Sequence, residues 1–180
     1  MTAEYTVLIV GYICGFYMAW NIGANDVANS MASAVGAQAI TIRQAVFIAG
    51  ILNVVGAVFI GSHVTETIRK GIVSTQVLTD PELSLVGAFS ALLAAALWVS
   101  FATWRSLPVS TTHSIVGAMI GFGIMAGGFS VINWVKLGAV VASWVISPIF
   151  SLIIGYTMFK LIVKLVLSKR NAFKRALRFS

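Results

Sequence analysis

The chain has 180 residues, 59% of them hydrophobic and only 9% charged, with a mean hydropathy of +0.97. Soluble globular domains carry about 25% charged residues, so a water-soluble core, a disordered chain and a cytosolic enzyme are all disfavoured. Cys14 is the single cysteine, which excludes an intrachain disulfide and a cysteine metal cage. The reading is therefore an all-α, polytopic membrane protein.

Tyr5 to Trp20 is apolar, Asn21–Ser30 is abruptly polar, and Met31 to Ile40 is small and apolar again. The first run alone is short for a span of about 20 residues, which predicts one crossing with a break at Asn21–Asn25. Val46 to Ile60 is a second span, entered after Arg43. Residues 62–82 read as a loop or interfacial helix, with Glu66 and Lys70 as an i,i+4 pair. Leu83 to Trp104 is a third span. Arg105–Ser114 is a second polar interruption, followed by a glycine-rich apolar run from Ile115 to Phe129. Val131 to Leu167 holds a last long span, with Pro148 as its kink point. This gives about five crossings with broken helices. The domain reading is a single membrane domain over 1–180, ending in a basic cytoplasmic tail at 168–180.

The net charge of +7 is unevenly placed: Lys160, Lys164, Lys169, Arg170, Lys174, Arg175 and Arg178 are seven of the twelve basic residues. With the N-terminus outside, these seven plus Arg43 and Arg105 fall inside, and Arg69, Lys70 and Lys136 fall outside. Nine against three favours N-out, C-in in a cell (plasma) membrane. A re-entrant hairpin around residues 106–129 would alter that count. No nucleic-acid motif precedes the basic tail, so lipid and not nucleic acid is its expected partner. Glu4 sits where a cleavable signal would be basic. Gly11, Gly15, Ala19 and Gly23, and the Gly117/Gly121 pair, read as surfaces for close helix approach.

The first polar interruption, Gly23–Ser30, places a carboxylate and two amides in an apolar stretch. A charge at membrane depth costs about 2.5–3.5 kcal/mol on insertion scales, so Asp26 needs a partner, water or a cation. In a helix restarting near Asn25, Asp26, Asn29, Ser30 and Ser33 share one oxygen-rich face. Such a face suits Na⁺, and the carboxylate can alternatively carry a proton; the bland alternative is a solvated edge loop. The second interruption is Ser106–Ser114, where Pro108 would occupy a first helical turn. Ser110, Thr111, Thr112 and Ser114 then surround a helix N-terminus, an anion site by its amides and hydroxyls. One cap needs only one hydroxyl. His113 either donates or titrates there, or simply caps a neighbouring carbonyl. Half-helix termini facing an anion, with carboxylate and carbonyl oxygens holding a cation, is the logic of secondary transporters.

Gly23–Ser30 (GANDVANS), continuing through Gly36, resembles the signature of the inorganic phosphate transporter (PiT) family, and Pro108–Gly123 (PVSTTHSIVGAMIGFG) resembles its second signature. The similarity extends over essentially the whole chain. It implies phosphate uptake coupled to Na⁺ or H⁺ by two inverted repeats, each carrying both signatures. It also implies that Asn25, Asp26, Asn29, Ser110, Thr111, Thr112 and Ser114 contact phosphate or cation. This sequence holds one copy of each signature, so it resembles the N-terminal repeat alone. It is then a fragment, or a half whose second repeat another chain supplies; an antiparallel homodimer is opposed by the charge bias. An anion entering a negative interior pays about 2.3 kcal/mol per charge per 100 mV, so compensating cations are needed, and net positive inward charge with a divalent phosphate takes more than two Na⁺. Two alternatives stand beside phosphate symport: another oxyanion such as sulfate, and a non-transporting subunit of a full transporter. Enzyme activity is not expected, since no paired acid/base set, transition-metal cage or phosphate-loop motif is present, and no cofactor beyond the coupling ion is implied.

Overall fold

The computed structural model describes residues 2–74 and 79–168. Five α-helices follow in order: α1 (Thr2–Gly36), α2 (Ile42–Gly71), α3 (Pro81–Trp104), α4 (Thr111–Gly127) and α5 (Trp134–Ile162). A 3-10 turn (Phe129–Val131) precedes α5, and a π-helical turn (Val163–Leu167) continues it. The chain divides into two compact units, Met1–Trp134 and Val135–Ser180. Each predicted apolar segment is a helix. Tyr5–Gly36, Ile42–Ser62, Pro81–Trp104 and Trp134–Leu165 are long and apolar enough to cross a membrane. At 17 residues, α4 is about 25 Å long, short of a hydrocarbon core of about 30 Å. Glu66 and Lys70 both fall within α2, but the Lys70 side chain, and with it their pairing, lies outside what is described, as does the tail from residue 169 onward.

The expected break in α1 does not occur: the helix runs unbroken through Asn21–Ser30. Its polar side chains find partners sideways on α3, on α4 and the turn between them, or on their own helix, so the backbone has no reason to open. The break after α3 is real. Ser106 N donates to Thr103 O at 3.0 Å and Leu107 N to Ala102 O at 2.8 Å, with Ser106 at φ 56°. This is a Schellman motif with serine where glycine is usual. The extended residues 107–110 follow, so Pro108 precedes the helix and does not sit in its first turn. Ser110 is the N-cap of α4, its Oγ accepting from His113 N at 3.3 Å.

The α1–α2 corner uses the same devices. Ala39 N donates to Ala34 O and Gln38 N to Val35 O, with Gln38 at φ 56°. Thr41 and Gln44 then form a capping box at the start of α2. At the other end of α2, Val73 pairs with Ile132 as an isolated antiparallel bridge. Ser74 N donates to Val131 O at 2.7 Å and Asn133 N to Ile72 O at 2.9 Å. Ile72, Val73 and Ile132 are buried there. Asp80, capping α3 through Glu82 N and Leu83 N, starts the hairpin of α3 and α4.

α3 presents Gly87, Ala91, Ala95, Ala96, Val99 and Ala102 as its buried face. Small residues at this spacing let α1 and α4 approach closely. Met18 packs with Ala95 and Ala96, joined by Tyr17, Ile22, Leu92, Ile115 and Ala118. The Phe122 ring of α4 lies where a Gly87 side chain would be. The glycines singled out from sequence behave differently. Gly11 faces Phe89 at 3.4 Å, whereas Gly15, Gly23, Gly117 and Gly121 have no neighbour within 4 Å of a would-be Cβ. Outward faces are apolar almost throughout, with Phe59, Val58, Phe47, Phe16 and Trp104 mostly exposed. Polar groups inside and hydrocarbon outside is the arrangement for a lipid surrounding.

Candidate functional site

α1 carries Tyr17, Asn21, Asn25 and Asn29 at successive i+4 positions, one row along the helix. The row faces α3 and the turn beyond it. Tyr17 Oη and Ser100 Oγ are 2.5 Å apart, and Ser100 Oγ donates to Asn21 Oδ1 at 2.7 Å. Asn21 Nδ2 returns to Tyr17 O at 2.9 Å. One turn on, Asn25 Nδ2 donates to Thr103 Oγ1 at 3.1 Å and to Leu107 O at 3.4 Å. Asn29 Nδ2 donates to Asn25 Oδ1 at 2.9 Å and to Val109 O at 3.5 Å. Asn21 and Asn25 are buried, at 4% and 5% exposure.

Asp26 lies beside this row and meets α4. Thr111 Oγ1, on a buried residue, donates to Asp26 Oδ2 at 2.8 Å. The two polar segments, some eighty residues apart in sequence, thus meet at one point. Asn25, Asp26, Asn29 and Thr111 are brought together. Ser30 donates to its own Val27 O at 3.3 Å and is exposed, as is Ser33. Thr112 and His113 are exposed on the first turn of α4, and Ser114, half-buried, donates to Ser110 O at 2.9 Å. The oxygen-rich face expected for Asp26, Asn29, Ser30 and Ser33 therefore divides. Asp26 and Asn29 look to the hairpin, and the serines look outward.

The hydroxyl cluster also sorts by role. Thr111 and Ser114 already donate within the protein, and Ser110 accepts as the cap while keeping its proton to donate. The donors left at the helix start are Ser110 Oγ, Thr112 Oγ1 and the amides of Thr111 and Thr112, which form no hydrogen bond among the described residues. An amide pair at a helix N-terminus with two hydroxyls suits an oxyanion. An open cleft of about 640 Å³ borders this turn, lined by Trp98, Pro108, Ser110, His113, Ser114 and Gly117. Asp26 is not among its walls, so the cleft touches only the hydroxyl half of the site. Among the described residues, no group of three or more metal-ligating side chains clusters.

Tyr17, Ser100 and Thr103 were not singled out from sequence. Their signal was the i+4 row ending in the GANDVANS asparagines, and a pair of hydroxyls three apart in the last turns of an alanine-rich helix.

Residues 22–180 match the phosphate transporter family. The chain belongs to that family. A Pyrococcus furiosus protein described as a phosphate permease is 51% identical over 174 residues, covering 97% of this chain and 42% of that protein. An Arabidopsis thaliana protein named as a chloroplastic inorganic phosphate transporter is 48% identical, over 87% of this chain and 27% of its own length. A solved structure titled as the sodium-dependent phosphate transporter superposes with a TM-score of 0.86 at 53% identity, covering 94% of this chain and 42% of that one. The chain thus spans about two-fifths of the length of the permease and of the solved transporter. The resemblance of the two signatures to that family holds, and so does the all-helical membrane fold.

Proposed function

We propose that this chain forms one half of a cation-coupled phosphate transporter, with the contact of Asp26 and Thr111 at the centre of its substrate site. The observation that carries the reading is that contact itself. It ties a carboxylate to a capped helix N-terminus, next along α1 to two asparagine amides that are hydrogen-bonded to each other. The arrangement explains coupling. An oxyanion on the amides of Thr111 and Thr112 would sit beside the Asp26 carboxylate, and like charges at such range repel. A cation held by Asp26 and the asparagine oxygens removes the repulsion, so anion and cation each favour the other's binding. Na⁺ is the preferred cation, supported by the sodium-dependent name of the solved relative. A proton on Asp26 is the alternative carrier.

The second wall of the site would come from a complementary repeat, on this polypeptide's continuation or another chain, and one copy of each signature supports that. Asn29 faces the α3–α4 turn, and α1 continues to Gly36, about 10 Å further. The hairpin turn would therefore lie within the membrane, and α3 and α4 would enter and leave on the same side. Arg105 then drops from the inside count, and eight basic residues against three still favour N-out, C-in. Labelled phosphate uptake by proteoliposomes holding the whole transporter tests the reading. Uptake should require an inward Na⁺ or proton gradient and resist excess unlabelled sulfate. Sulfate competing as well as phosphate would point to a general oxyanion carrier, and no uptake under either gradient would refute it.

A further inference from the structure

The amides of Asn25 and Asn29 face the hairpin nitrogen-first, and the hairpin dictates this. Leu107 and Val109 present backbone carbonyls, which only accept. Turning either amide over would set oxygen against oxygen. These carbonyls are available because the chain between the Schellman turn and the Ser110 cap is extended. Pro108 enforces this, holding Leu107 away from helical geometry. Both carbonyl bonds are long, at 3.4 and 3.5 Å, whereas the bond from Asn25 Nδ2 to Thr103 Oγ1 is 3.1 Å. Thr103 is thus the closest acceptor on the hairpin for this pair of amides.

We infer that Thr103 is a positioning residue for the coupling cation: it holds the Asn25 amide so that the oxygens of Asn25 and Asn29 stay beside Asp26. The inference rests on the cation-coupled reading above. With nitrogen fixed toward α3, Asn25 Oδ1 accepts one bond from Asn29 and keeps a second lone pair. Asn29 Oδ1 and Asp26 Oδ1 accept no hydrogen bond among the described residues. Three oxygens from one stretch of α1 are then available to a hard cation, which prefers oxygen ligands. Thr103 is on α3 and acts only through Asn25. Its hydroxyl is three residues from Ser100, whose Oγ makes the opposite bond one turn away, donating to Asn21 Oδ1.

The test is a Na⁺ titration of thermal stability, at constant ionic strength, on the purified whole transporter. Thr103→Val removes the acceptor at nearly equal volume, and Thr103→Ser keeps it. The concentration of Na⁺ giving half the stabilisation should rise about three- to tenfold in Thr103→Val, the scale of one neutral hydrogen bond. Thr103→Ser should remain within about twofold of wild type, and the Na⁺-free melting temperatures should stay close. Should Thr103→Val not fold, Thr103→Ala is read by the same criterion. An unshifted Na⁺ response in the hydroxyl-less variant, an equal defect in Thr103→Ser, or a wild type indifferent to Na⁺ each overturns the inference. A wild type that responds to Na⁺ but takes up no phosphate leaves it standing and refutes the phosphate reading instead.

Discussion

Thr111→Val removes the hydroxyl through which α4 reaches Asp26 and keeps the branched shape. The residue is 7% exposed and its Oγ1 lies 2.8 Å from Asp26 Oδ2. A hydrogen bond to a charged group contributes about 1.5–3 kcal/mol, equivalent to roughly 10- to 150-fold in an equilibrium constant. Asp26 is only half-buried, so water or the cation can replace part of the lost donor. That places the expected effect near the lower end, about tenfold. Because a cation on Asp26 and phosphate beside it would each favour the other's binding, the half-saturating concentrations of Na⁺ and of phosphate should rise together. Initial rates of phosphate uptake across a grid of Na⁺ and phosphate concentrations, alongside thermal melting, measure this. Both constants within twofold of wild type, with a lower melting temperature, would make the contact purely structural. A larger loss in Thr112→Val than in Thr111→Val would move the substrate to the outward face of α4.

Ser110→Ala should lower stability by about 1 kcal/mol through loss of the α4 cap and also weaken phosphate binding several-fold; melting paired with phosphate titration separates the two effects. Ser100→Ala leaves the buried Asn21 oxygen without its donor and should cost about 1–3 kcal/mol in denaturant unfolding; no change would show that water substitutes there. Gly87→Ala drives a methyl into the Phe122 ring and should destabilise by about 1–3 kcal/mol, read by the same unfolding assay.

The helices were legible because each long apolar run is a helix in the fold, and hydropathy reports burial in lipid directly. The two polar segments were legible as a pair because buried hydroxyls and carboxylates in an apolar chain demand partners. Their pairing across the fold was not. The Asp26–Thr111 contact is not visible until α4 is laid against α1, nor are the partners of the i+4 row from Tyr17 to Asn29 until α3 is. The break expected in α1 failed for the same reason. A run of asparagines looks like an interruption when its partners are unknown, and like an ordinary helix face once Ser100 and Thr103 satisfy it. Within the hydroxyl cluster, the backbone bond of Ser114 and the capping role of Ser110 depend on where α4 starts, which residue types alone do not give. Of the glycines in the stripes read from sequence, only Gly11 meets a neighbour among the described residues, because spacing alone does not say which face does so. The close approaches occur instead at Gly87 and along the alanines of α3.

The central claim is that the two signatures make one site in which a cation and phosphate depend on each other through Asp26. Equilibrium binding of labelled phosphate to the purified whole transporter, measured over a range of Na⁺ and of pH at constant ionic strength, tests it most directly. Phosphate affinity should rise with Na⁺ in the wild type, and Asp26→Asn should be insensitive to Na⁺ while still inserting and folding. Phosphate binding that ignores both Na⁺ and pH, or an Asp26→Asn protein with the same Na⁺ dependence as wild type, would contradict it.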